Sequence, residues 1–138
     1  MSSLLSSICR GGTLRSHRVL AGVLLVAGTT HLLRPGFYDP IVPRALPGAP
    51  RAWTYGSGLA EFGVAVALLV PTSRRWAALA AAALFVAVFP ANVQMAVDGG
   101  YPGHSGALGS PILAWARLPL QIPLVWWSLS LARQEEPE

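Results

Sequence analysis

The sequence predicts an all-α fold, specifically a bundle of four transmembrane helices, and three observations predict it. Hydrophobic residues make up 53% of the chain and charged residues only 12%, against about 25% charged in an ordinary soluble domain. The apolar residues gather into four runs separated by connections rich in proline, glycine and arginine. The few polar residues inside the runs fall toward one end of each: late in the first and third, early in the second and fourth. Runs that cross a bilayer in alternation bring all of these to the same side of it.

The first run, residues 19–33, is shorter than the roughly 20 residues that span a bilayer comfortably. It follows Arg10, Arg15 and Arg18, as the apolar part of a signal peptide follows its basic part. It ends in His31-Leu-Leu-Arg-Pro35, a poor small-residue processing site. We therefore expect a retained helix from about Ser16, with snorkelling arginines extending its reach. The connection 34–51 carries Pro35, Pro40, Pro43, Pro47 and Pro50, which excludes a long regular element. The second run, 53–70, is interrupted by one charge, Glu61, and stops at Pro71-Thr-Ser-Arg-Arg75. The third, 76–97, is alanine-rich with Pro90 near its far end, where we expect a kink. A glycine-rich loop from Asp98 follows, and the fourth run, 112–132, carries Arg117 early and Trp126-Trp127 late. The expected spans are 16–33, 53–70, 75–97 and 112–132, with tails at 1–15 and 133–138. Gly56, Ala60 and Gly63 in the second span, and Ala77 to Ala83 with Ala87 in the third, offer small-residue surfaces for close helix approach.

All ten basic residues are arginines and the net charge is +4. They flank the apolar runs and form no continuous patch, so the expected partner is the lipid bilayer with its anionic headgroups, and not nucleic acid. Arg10, Arg15, Arg18, Arg74, Arg75 and Arg133 lie on one side of the expected membrane, against Arg34, Arg44 and Arg51 on the other. This bias places both tails in the cytoplasm. Cys9 is the single cysteine, so no disulfide or CxxC redox motif forms within the chain.

The candidate site is the polar set His31, Glu61, Asn92, Gln94, Arg117 and Gln121. Glu61 lies about 12 Å beyond Trp53, and Arg117 about 8 Å beyond Ile112; Asn92 lies about 8 Å back from Val97. These depths predict an ion pair between Glu61 and Arg117, supported by amides, with His31 above it near the interface. Two readings stay open. The pair locks the bundle, or it forms a functional site, as intramembrane ionisable groups commonly do. Asn92 equally serves backbone groups that Pro90 frees, and His31 equally caps a helix end. The aromatic residues fit interfacial belts. No ligand spacing for a metal is present, nor a phosphate loop, dinucleotide fingerprint or nucleophile elbow, and no catalytic residue is assigned.

Four stretches carry a resemblance: His31-Leu-Leu-Arg-Pro35 with Tyr38 and Pro43, Ser57-Gly-Leu-Ala-Glu61, Phe89-Pro-Ala-Asn-Val-Gln-Met-Ala96 and Ala116-Arg-Leu-Pro-Leu-Gln121. In this order they resemble the DoxX-like family of small four-helix membrane proteins. The resemblance covers about residues 20–127. It implies a bacterial plasma membrane and an accessory role in a quinone- or thiol-linked redox system, with a quinone as the candidate ligand. The lone cysteine sets this chain apart from a dithiol relay unless a partner supplies the thiols. Two function classes follow. In the first, a redox-associated subunit binds a lipophilic ligand between Glu61, Arg117, Asn92 and Gln121. In the second, a non-catalytic scaffold or assembly factor engages an extracytoplasmic or membrane partner through the stiff 34–51 loop. A transporter would need an oligomer, because four spans show no inverted repeat.

Overall fold

The computed structural model describes residues 2–107 and 109–135, with side chains from residue 16 onward. The side chains of Cys9, Arg10 and Arg15, and tail residues 136–138, lie outside that description. Helix α1 runs Ser2–Leu33, so the helix expected from Ser16 starts well before it. A short α2, Pro35–Tyr38, and a 3-10 turn, Asp39–Ile41, follow. Then come α3, Pro50–Leu69, a 3-10 turn at Pro71–Ser73, and α4, Arg74–Ala87. Helices α5, Phe89–Val97, and α6, Pro111–Gln134, complete the chain, and no strand occurs among the described residues.

Proline writes much of this order. Pro35, Pro50, Pro90 and Pro111 each occupy the first turn of a helix, where the missing N–H costs nothing and the fixed φ favours helix. Near Pro90 the helix is interrupted at a single residue, Val88: α4 ends at Ala87 and α5 begins at Phe89, within one helical stretch. Proline also sits inside α6, at Pro119 and Pro123.

Helix α1 packs chiefly on α3, α3 on α4, and α4 with α5 on α6; a lighter contact between α1 and α6 closes the ring. His17 Nε2 near the start of the described side chains lies 3.9 Å from Glu135 Oε1 at the end of α6. At the opposite end, Arg44 Nη2 of the first connection bonds Asp98 Oδ1 of the last at 3.2 Å. The bundle thus gathers its chain ends at one pole and its long connections at the other. Two apolar clusters fill it. Leu20, Leu24, Leu68, Ala78, Ala81 and Leu131 form the larger one. Ile41, Met95, Ala96, Tyr101 and Ala114 form the smaller one beneath the connections, with Phe37 and Tyr38 packed against it.

The outside is apolar as well: Ile112, Trp76, Trp126, Val26, Leu59 and Phe62 all face outward. One helical stretch among the described residues, Pro71–Val97, is by itself long and apolar enough to cross a membrane; the bent pair Ser16–Leu33 and Pro35–Ile41, turned by 100°, makes a second if it counts as one span.

Candidate functional site

The site begins with two glycines. On α3, Thr54, Gly58, Glu61, Ala65 and Leu68 recur at steps of three and four and form the buried face. That face meets α1 at Gly28. A Cβ on Gly28 would lie 2.7 Å from the Gly58 carbonyl oxygen, and one on Gly58 would lie 2.7 Å from the His31 Cβ. Only glycine permits so close a backbone approach. Its consequence is chemical: Glu61, three residues past Gly58, comes directly against His31, three residues past Gly28. Glu61 Oε2 lies 3.3 Å from His31 Nδ1, with side-chain exposures of 9% and 13%.

That pair is not a simple ion pair. His31 Nδ1 is also 2.8 Å from the Ala27 carbonyl oxygen. A carbonyl only accepts, so Nδ1 carries a proton and donates it to Ala27. Glu61 Oε2 is left buried with no hydrogen-bond partner, beside a proton that is directed elsewhere. Native interiors rarely tolerate such an oxygen without a reason. One N–H thus sits between two acceptors.

Above the pair lies a lid made by the first connection. The Tyr38 ring stacks on His31 at 3.6 Å between centroids and 18° between planes, and its hydroxyl shares a 2.7 Å hydrogen bond with Thr30 Oγ1. Asp39 then ties the lid to α3. Its Oδ1 accepts from Thr54 Oγ1 at 2.7 Å and its Oδ2 from Arg51 Nε at 2.7 Å. Trp53 Nε1 donates to the Pro47 carbonyl at 2.8 Å. The ring sequence continues outward, with Phe37 stacked on Tyr101 at 4.3 Å and His104 edge-on to both. Tyr101 is buried, and loss of water pushes its phenol up to about 12, partly opposed by the positive Arg117. Gly100, at φ +117 and packed against Gly109, turns the loop that delivers Tyr101.

The remaining polar residues do not join this centre. Gln94 Nε2 donates to Asp98 Oδ2 at 3.0 Å, joining the exposed Arg44–Asp98 pair at the lid margin. Asn92 is half-buried on α5. Arg117 is exposed on α6 and forms no ion pair among the described residues; it borders a small cavity of about 230 Å³ with Met95, Leu113 and Leu120. Gln121 lines a separate groove between α6 and the α4–α5 break. The expected Glu61–Arg117 pair is therefore not formed. Depth along a helix fixes height, not rotation, and the rotation of α3 is set by Gly58.

Sequence reasoning missed Tyr38 as the ring over His31, Asp39 and Thr54 as the lid anchor, and Gly28 with Gly58 as the crossing point. The 3–4 spacing of Thr54, Gly58 and Glu61 was the available signal. The small residues Gly56 and Gly63, expected to make helix contact, have nothing near enough to meet an added Cβ. No group of three or more histidine, cysteine, aspartate or glutamate side chains suited to a metal occurs among the described residues.

Neither a curated protein nor a solved structure matches this chain. Residues 20–132, which contain the crossing, the lid and the groove, match a domain of unknown function, DUF8561. The chain belongs to the DUF8561 family.

Proposed function

We propose that this is a four-span integral membrane protein of a bacterial plasma membrane, with both termini cytoplasmic, serving as an accessory subunit of a quinone- or thiol-linked redox system. The four spans are α1, α3, α4 with α5, and α6. Outward-facing tryptophan, leucine, isoleucine and phenylalanine on these helices support the reading, since water-soluble monomers rarely expose contiguous apolar surface beyond a few hundred Å². The Arg44–Asp98 contact at one pole and the His17–Glu135 contact at the other suit helices that alternate in direction. Polar groups on α3 and the prolines of α6 lower the hydropathy of those helices, which accounts for their weaker signal as spans.

The observation that carries the functional reading is the Glu61–His31 pair: a buried carboxyl with an unpartnered oxygen against a part-buried imidazole, under a stacked tyrosine. Such a pair exchanges a proton with a ligand that reaches it, the role a redox-linked lipophile such as a quinone requires. His31 supplies the movable proton, Glu61 the accepting oxygen, and Tyr38 with Asp39 the closure that keeps water out. The likeness of the four sequence stretches to DoxX-like proteins supports the same assignment.

Native mass spectrometry of the parent and of Glu61→Gln, each released from detergent, tests it. A quinone-sized adduct on the parent, lost in a variant that stays membrane-integrated, is the expected result. No adduct on the parent sinks the redox reading. A protein co-purifying equally with both forms would favour the scaffold, for which the tied-down lid, with Arg44 projecting outward, is the supporting observation.

A further inference from the structure

The Glu61–His31 pair turns one particular atom outward, and it is not the carboxylate oxygen that faces the imidazole. Glu61 Oε2 is sealed from the surroundings, so a ligand does not touch it directly. His31 differs. Its side chain keeps 13% of its surface exposed, and its Nε2 does not belong to the buried atoms that lack a partner. Both polar contacts of the ring are made by Nδ1, to the Ala27 carbonyl and to Glu61, and Nε2 bonds nothing among the described residues. A nitrogen that is unbonded and yet not buried without a partner is an accessible one.

The ring is also held so that this nitrogen is bare. Nδ1 donates its hydrogen to the Ala27 carbonyl at 2.8 Å, and the bond made by one imidazole nitrogen fixes the state of the other. In the neutral ring Nε2 is then an acceptor only. Thr30 and Tyr38 set the ring plane. Thr30 Oγ1 gives its one hydrogen to the same Ala27 carbonyl at 2.8 Å, so the 2.7 Å contact with Tyr38 is a bond that the tyrosine donates. It holds the Tyr38 ring against His31 at 3.6 Å between centroids, covering one face of the imidazole, while the nitrogen lies on its edge.

We propose that His31 Nε2 is the atom that binds the ligand, accepting a hydrogen bond from the phenolic hydroxyl of a hydroquinone, so that the site selects the reduced form of a quinone over the oxidised form. The need for a donor follows from the bare nitrogen; the hydroquinone as its carrier rests on the redox reading above. A quinone oxygen carries no hydrogen and would set one acceptor against another, a mismatch that a polar site rejects strongly.

The test uses the full chain in detergent, without oxygen, and three probes on one frame: 2-decyl-1,4-hydroquinone, 2-decyl-1,4-benzoquinone and 2-decyl-1,4-dimethoxybenzene. Native mass spectrometry reads binding. The hydroquinone is expected to bind about tenfold more tightly than the dimethyl ether, and the quinone no more tightly than the ether. His31→Phe keeps a ring under Tyr38 and should bring the hydroquinone down to the ether. Nitrogen NMR of the histidine-labelled parent covers the case in which that variant does not fold. One imidazole should show a protonated Nδ1 and a bare Nε2, whose signal moves with the hydroquinone and not with the ether. Equal affinity for hydroquinone and ether overturns the proposal, as does a preference that survives His31→Phe, or a His31 hydrogen found on Nε2. Quinone binding as tight as hydroquinone binding, with both lost in Glu61→Gln, overturns it and leaves the redox reading standing. Binding of none of the three sinks that reading and the proposal with it.

Discussion

The two halves of the bundle solve opposite problems. Where α1 crosses α3, Gly28 and Gly58 remove side chains so that the backbones touch, and two titratable groups are pressed together beneath an anchored lid. Where α6 meets α4 and α5, Pro90 opens α5 and Pro119 and Pro123 sit inside an unbroken α6, and an open apolar groove lies between them. Glycine closes one half; the other stays open along a proline-bearing helix. The contrast sets an enclosed polar pair against an open apolar groove within a single small fold.

The sharpest way to break the comparison is to crowd the closed half. Gly58→Leu would drive a side chain into His31 and should cost about 1–3 kcal/mol by overpacking, seen as a large drop in thermal midpoint in detergent. Gly63→Leu on the exposed face, where nothing lies within 4 Å, should leave the midpoint nearly unchanged. Equal losses in both variants would contradict the glycine crossing.

Next in size is the lid anchor. Asp39→Ala removes the acceptor of both Thr54 and Arg51 and leaves the buried Thr54 hydroxyl without its partner. It should destabilise the lid by about 1–3 kcal/mol, read as faster amide hydrogen exchange across Pro35–Ile41 while α6 stays protected. In the open half the sign reverses. Pro123→Ala restores an N–H to the Pro119 carbonyl and should raise stability by about 1 kcal/mol, the one substitution here expected to stabilise.

A further effect appears only at alkaline pH. Burial raises the Tyr101 phenol to about 12, while an unfolded tyrosine ionises near 10. The folded group therefore holds its proton after the unfolded one has released it. Its contribution is intact below about pH 10 and is lost as pH rises through about 12. Tyr101→Phe should remove that loss, measured as the flattening of the stability profile between those limits.

How far the sequence reached depends on what each signal encodes. The four apolar runs correspond to α1, α3, α4 with α5, and α6, because composition and proline placement act locally. The connection 34–51 holds a short helix, a 3-10 turn and the first two residues of α3, so no long regular element lies within it, in keeping with its five prolines. The site was legible only in part. Glu61 and His31 stood out as charge in apolar sequence, yet their pairing depends on which face of α3 turns to α1. That rotation follows from Gly58, whereas Gly56 and Gly63 looked equally suited and face outward. Arg117 and Gln121 share one helix face, but α6 borders two separate spaces, and spacing along one helix cannot show which neighbour each side chain meets.

The proposed membrane bundle has its lid outside the cell and its termini inside. The most direct test labels single cysteines in intact cells with a membrane-impermeant thiol reagent. The native Cys9 reports one pole, and Ser105→Cys in a Cys9→Ser background reports the other. We predict that Ser105→Cys labels in intact cells and that Cys9 labels only after the cells are permeabilised. Labelling of both positions from the same side, or release of the protein from membranes by carbonate, would contradict the account.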